Sequence, residues 1–360
     1  MEDALDKIEQ LLMELTNANG VPGFEDEVAE VMAKNAYAAD EITYDKLGSV
    51  ICRKTGSADS PRIMIAGHLD EIGFMVTQIT EEGYVKFTPL GGWWGHVALA
   101  QRVIIKTSKG DILGVVGSKP PHILKEDERK KVLDIDDMFI DIGVTPKTDV
   151  KKLGIRVGDP IVPVAEFTKM HDPKVYLNKA FDNRIGVAAA VAVINALKGS
   201  KHPNTVYGVG TVQEEVGLRG AGTAAYMVDP DIAFVADVSL AVDGPGSEKS
   251  NKARMGTGPS INVLDGSMIP NRRLRDMIID IAEKEKIPYH LSAMPRGGTD
   301  GGRIHISRSG VPCIYVGIAT RYIHSHTSIM HRDDFENLVK LLVAVIKKLD
   351  AKTVKSLCKR

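Results

Sequence analysis

Apolar positions recur at helical spacing in the first twenty residues: Leu5, Ile8, Leu11, Leu12 and Leu15 share one face. Asn19-Gly20 supplies a C-cap signal, so the spacing predicts an opening helix that stops there. A second helix is predicted over Glu25–Tyr37. Short β-like runs follow at Glu41–Tyr44, Ser49–Lys54 and Arg62–Gly67. The last of them, RIMIAG, is continuously apolar, as a central strand is. From about residue 70 to 166 the helical period fades. Runs rich in Val, Ile, Phe and Thr recur at Ile72–Ile79, Tyr84–Pro89, Arg102–Thr107, Ile112–Val116, Met138–Asp141 and Pro160–Pro163. Glu82-Gly83 and Lys109-Gly110-Asp111 read as hairpin turns. Beyond 167, helical patterns (Ile185–Leu197, Arg219–Met227, Leu274–Lys286, Arg332–Leu349) alternate with strand patterns (Asn204–Thr211, Ala233–Asp237, Val311–Val316). This alternation predicts an α/β fold, a mixed sheet flanked by helices. It is built from residues 1–69 and 167–360, with a small all-β domain inserted over 70–166.

Composition narrows the class. A chain of 360 residues holds about two domains. Its 43% hydrophobic and 26% charged residues are those of an ordinary globular chain. The 46 basic and 47 acidic residues leave a net charge of −1, which excludes a strongly basic nucleic-acid surface. Cys52, Cys313 and Cys358 form no CxxC pair, so neither a disulfide framework nor a cysteine zinc site is expected. The acidic N-terminus lacks the marks of a signal peptide. The longest apolar stretch, Ile185–Leu197, has 13 residues and contains Asn195, too short to span a bilayer. Together these predict a cytoplasmic protein with neither membrane nor nucleic-acid partners.

Candidate chemistry sits near the predicted strand ends, where open α/β sheets place their sites. His68-Leu69-Asp70 follows RIMIAG, Asp182 lies in AFDNR, Glu214-Glu215 follows an apolar strand, Asp237 ends another, and His324 follows a fourth. A lone histidine or strand-end aspartate is usually a surface, capping or turn residue. Two carboxylates at a buried strand end are costly unless paired, and a metal ion removes that cost. As a set, two histidines, two aspartates and a glutamate can hold two divalent ions, with one aspartate between them. One glutamate is left as general base. Imidazole plus carboxylate suits Zn²⁺ best, with Co²⁺ or Mn²⁺ also compatible. His68 and Asp70 are two apart, so on an extended backbone Asp70 could orient the His68 ring from behind.

The segments GHLDEIGFMV, KAFDNRIG, VQEEVGLRGA, GGTDGG, SRSGVP and TRYIHS, in this order, resemble the M42 metallo-aminopeptidases, a dinuclear family of the zinc-peptidase clan. The resemblance runs nearly end to end. It implies that His68 and Asp237 ligate one metal, Glu215 and His324 the other, and that Asp182 bridges them. It makes Glu214 the general base and places Asp70 behind the ligands. His326 competes with His324, and the RYIHS pattern selects His324. The resemblance also implies a zinc-peptidase-like catalytic domain around an inserted β domain that serves dimerisation. The expected assembly is a dodecamer built from dimers, acting on short peptides. The apolar Leu90–Trp94 stretch agrees with buried contacts between subunits.

The function expected is therefore a metallo-aminopeptidase: two metals activate a water, and Glu214 acts as general base. A glycosidase would need two carboxylates astride a sugar. Glu214 and Glu215 are adjacent, would face opposite sides of a strand, and come with only 5% aromatics. A non-enzymatic peptide-binding assembly with structural metals would have no use for Glu214.

Overall fold

The computed structural model describes residues 5–247 and 253–358. Residues 1–4 of the predicted opening helix lie outside the described residues. The α/β architecture with a small β insert, expected from the pattern, is the fold observed. The main sheet has eight strands in the order Glu41–Tyr44, Val50–Thr55, Thr205–Thr211, Arg62–His68, Ile232–Leu240, Cys313–Thr320, Ser260–Asp265 and His290–Met294. The four strands from Thr205–Thr211 to Cys313–Thr320 are parallel neighbours. Their carboxyl ends therefore lie along one edge, the usual position of a site in such sheets. Buried on both faces, these strands read as near-continuous apolar runs.

One face packs on the helices Lys7–Asn17, Phe181–Ala196 and Arg332–Ile346, the other on Arg219–Val228. The helix Phe181–Ala196 is buried on nearly every side, between the sheet and the two outer helices. Two glycines let it lie unusually close to the strands. A Cβ on Gly67 would meet Gly186 C at 2.4 Å, and one on Gly186 would meet the Ala236 carbonyl at 2.1 Å. This contact brings the start of the helix, with Asp182, down beside His68 and Asp237.

Between Gly73 and Pro163 six strands close into a barrel with its own core, centred on Phe74, Phe87, Val103, Ile105, Ile140 and Ile161. Trp93 stacks on Phe74 at 4.5 Å and donates its indole N–H to the Gly73 carbonyl. A third, three-stranded sheet pairs Val175–Asn178 with Thr168–Lys169 and Ser328–His331. No helix among the described residues is long and apolar enough to cross a membrane.

A buried ion cluster ties the opening helix to the sheet. Arg184, fully buried, donates to the carbonyls of Leu15, Ala18 and Gly20, filling acceptors that the helix end leaves open. Glu71 takes Lys179 at 2.7 Å and Arg184 at 3.4 Å. Replacing Glu71 by Ala would deprive two buried cations of their nearest counter-charge. The expected loss is about 3–5 kcal/mol, read as a lowered denaturation midpoint; a loss below about 1 kcal/mol would mean that water reaches the cluster.

Candidate metal centre

Every predicted ligand arrives from a different strand or helix end. His68 is the last residue of Arg62–His68, Asp237 lies near the end of Ile232–Leu240, and Asp182 opens the helix Phe181–Ala196. Glu214 and Glu215 follow the strand ending at Thr211, and His324 lies between Cys313–Thr320 and Ser328–His331. All six line one cavity of about 450 Å³.

Asp182 stands between the two histidines. Its Oδ1 is 3.2 Å from His68 Nε2, and its Oδ2 is 3.5 Å from His324 Nε2. His324 Nε2 also lies 3.6 Å from Glu215 Oε2, and His68 Nε2 lies 3.8 Å from Glu214 Oε2. Two overlapping groups bring ligand atoms within 4.8 Å of one another: His68, Glu214 and Asp237, and His68, Asp182 and Glu215. Distance alone thus does not set Glu214 apart from the ligands.

The histidine orientations fit a metal. His68 Nδ1 faces the Asp70 carbonyl at 3.0 Å, and His324 Nδ1 faces the Gly92 carbonyl at 2.7 Å. A carbonyl only accepts, so each Nδ1 carries the proton. In a neutral ring this turns the Nε2 lone pair into the cavity, the tautomer a cation requires.

The electrostatics point the same way. Burial pushes the Glu214 and Asp237 carboxyls well above the ordinary range, and the His68 charge only partly offsets this. Glu215 is pushed up to about 7 by burial and then by the charge of Asp182. Burial also acts to raise Asp182, but the hydrogen bond and charge of His68 outweigh it and hold that carboxyl low. Burial alone would depress His68; Glu214, Asp182, Asp70 and Asp237 together raise it instead. No Lys or Arg lines the cavity among the described residues. Four carboxylates against two imidazoles form a site short of positive charge, which divalent ions would supply.

Three expectations change. Asp70 does not orient the His68 ring through its carboxylate, which is 3.7 Å from Nδ1; its backbone carbonyl does so. The carboxylate instead accepts the backbone N–H groups of Glu214 and Glu215, at 3.0 Å each. Those two glutamates, in turn, are not on a strand facing opposite ways. They lie in the loop after it, and both side chains line the cavity. Finally, a lone histidine is usually a surface, capping or turn residue, yet His202 and His290 are buried. His326 lies outside the cavity, edge-on to Trp93 at 5.2 Å, with burial pushing it down to about 4.

Two features escaped the sequence reading. Asn183 donates to the Ala236 carbonyl and accepts from Gly186 N–H, fixing the helix start beside Asp237. Gly91 and Gly92 bring a barrel loop against the site: a Cβ on Gly91 would meet Glu215 Oε2 at 3.0 Å, and one on Gly92 the His324 ring at 3.0 Å. The paired glycines were their only signal.

A family model described as M42 glutamyl aminopeptidase matches residues 48–341. The chain belongs to the M42 aminopeptidase family. One relative, a lysyl aminopeptidase of Pyrococcus furiosus, is 33% identical, over 94% of this chain and 97% of its own. The TET aminopeptidase of the marine sediment archaeon Thaumarchaeota archaeon SCGC AB-539-E09 superposes with a TM-score of 0.96 at 47% identity, covering 98% of this chain and all (100%) of its own. The Pyrococcus horikoshii TET1 peptidase, described as assembling into a tetrahedron or a large octahedral shell, gives 0.85 at 30% identity, over 95% and 100% of the two chains.

Dialysis of the chelator-stripped protein against Zn²⁺, Co²⁺ or Mn²⁺ should load two ions per chain. Replacing Asp70 by Ala frees the amides of Glu214 and Glu215. It should weaken metal binding by about 10–100-fold in competition with a chromogenic chelator. Unchanged affinity would show that the loop holds its shape without Asp70.

Proposed function

We propose that this protein is a metal-dependent aminopeptidase that removes N-terminal residues from short peptides. The observation that carries this reading is the pair of imidazoles turned Nε2-inward on either side of Asp182, with carboxylates closing the ring. We assign His68 and Asp237 to one divalent ion, Glu215 and His324 to the other, and Asp182 to both. Zn²⁺ is the ion proposed, with Co²⁺ or Mn²⁺ as substitutes. Bound there, the ions would supply Lewis acidity for a water and for the scissile carbonyl oxygen.

The chain's own part falls to Glu214. As the water oxygen adds to the carbonyl carbon of the first peptide bond, Glu214 accepts the water's proton. It returns that proton to the nitrogen as the carbon–nitrogen bond breaks. Asp70, through the Glu214 and Glu215 amides, fixes where these carboxylates stand. A glycosidase reading gains no support, since no aromatic side chain among the described residues lines the cavity to stack on a sugar.

We assign residues 1–69 and 167–360 to catalysis and 70–166 to an inserted domain that dimerises. Dimers would build a closed dodecamer. Trp94 and Tyr322, 61% and 63% exposed, both line a further cavity and give apolar surface for such contacts. The free cysteines are compatible with a cytoplasmic home.

Two measurements test this. Native mass should report twelve chains with metal present, and a monomer under all metal conditions would contradict the assembly. Glu214→Gln should lower turnover about 10²–10⁴-fold while keeping both ions, whereas Glu215→Gln should lose one. The opposite pattern would exchange the two roles, and near-normal turnover of Glu214→Gln would end the general-base assignment.

A further inference from the structure

Beside the cavity of the candidate ligands lies a second chamber. Leu240 and Met294, which wall the first cavity, also wall a neighbouring one of about 310 Å³. The chamber follows directly from strand geometry. Asp237 and Ser239 alternate along Ile232–Leu240 and so face the same side. Asp237 pairs laterally with Gly317, and Gly317 with Ser260, so Asn262, on a strand antiparallel to these, stands two positions back toward their amino ends. Ser239 and Asn262 both line the chamber. It thus adjoins the cavity of the proposed metals across Leu240 and Met294, where the side chain of a substrate's first residue would extend.

Its floor is polar but uncharged. Asn262 is 1% exposed, and its Oδ1 has no hydrogen-bond partner. Ser239 and Ser292 also line it. The Tyr315 hydroxyl is already engaged by the Val238 carbonyl. Buried polar atoms without partners are rare in native interiors and call for a reason. A ligand that donates a hydrogen bond supplies one. The rim is apolar, formed by Leu240, Val242, Leu291 and Met294. Among the described residues, no Asp, Glu, Lys or Arg lines the chamber. A glutamate or lysine side chain would be buried there without a counter-charge. A methylene stem ending in a neutral donor matches rim and floor together.

Resting on the aminopeptidase reading above, we infer that this chamber receives the side chain of the substrate's N-terminal residue. It selects neutral side chains, glutamine foremost, over glutamate and lysine, with Asn262 as the specificity-determining residue. Glutamine and glutamate have nearly the same size, so this pair isolates charge and hydrogen bonding from fit.

The test uses the full-length, metal-loaded protein with the p-nitroanilides of Gln, Leu, Ala, Glu and Lys. The expected kcat/KM for Gln exceeds those for Glu and Lys at least tenfold. Asn262→Leu should lower the Gln-to-Leu ratio at least tenfold, and Asn262→Asp should raise the Lys-to-Gln ratio. Leu291 is 51% exposed, so Leu291→Trp can enter the chamber with little burden on folding. It should lower the Gln-to-Ala ratio at least tenfold. Equal or better cleavage of the Glu or Lys substrate overturns the inference and leaves the aminopeptidase reading standing. So do unchanged ratios in all three variants. Failure to cleave any of the five removes that reading and this inference with it.

Discussion

Mutual repulsion among Asp182, Glu214, Glu215 and Asp237 is the constraint around which the α/β half of this fold is arranged. These groups sit at the ends of buried parallel strands, where charge is poorly screened. The response of each carboxyl shows how the available positive charge is shared. Asp182, between the two imidazoles, is held low, while the other three are raised. The deficit is built into the chain. Lys179 and Arg184 lie within three residues of Asp182, yet both are turned away, toward Glu71 and toward the carbonyls ending the opening helix. A fold that needed only neutrality could have turned either cation inward. Keeping them out reserves the cavity for cations that are not side chains.

The segment His68–Glu71 shows how few residues enforce this arrangement. His68 faces the cavity; Leu69 is fully buried in the core; Asp70 holds the amides of Glu214 and Glu215; Glu71 holds Lys179 and Arg184. Along four consecutive positions the chain supplies a candidate ligand, an anchor in the core, a loop clamp and the counter-charge that diverts the nearby cations. The backbone carbonyl of Asp70 also sets the His68 tautomer. The Gly67–Gly186 contact completes the arrangement by lowering the helix that carries Asp182 onto this strand.

Much of this was legible in the sequence, for physical reasons that differ by element. RIMIAG and IAFVAD announced themselves because strands buried on both faces are apolar throughout. Most candidate ligands could be read because they follow such a run; Asp182 instead opens an apolar helix. Contacts made by backbone could not. The Asp70 carboxylate serves two amides, and no residue pattern marks an amide as needing an acceptor. Nor could Glu214 and Glu215 be oriented, because the strand before them ends at Thr211 and alternation stops there. The strands Ser260–Asp265 and His290–Met294 passed unnoticed. Ser260 and Asn262 put polar groups on the buried face of the first, which hides its alternation. One of the residues that make that strand unreadable, Asn262, also floors the second chamber.

The two structural units meet at the chemistry itself. His324 belongs to the α/β half, yet its Nδ1 proton is held by Gly92, in the barrel loop. Gly91, with φ of 87°, lies in the left-handed region where a side chain is strained, and a Cβ there would press on Glu215. The barrel loop therefore fixes the ring of one candidate ligand and leaves just enough room for another. Any force that shifts the barrel relative to the sheet is delivered to His324 through one carbonyl. If the barrel also carries subunit contacts, as proposed, assembly and the shape of the metal centre share this single hydrogen bond. The further cavity, lined by Trp93, Trp94 and Tyr322, reaches His324 from that same side. Coupling between association and catalysis would then need no moving lid, only a change in how firmly Gly92 is held.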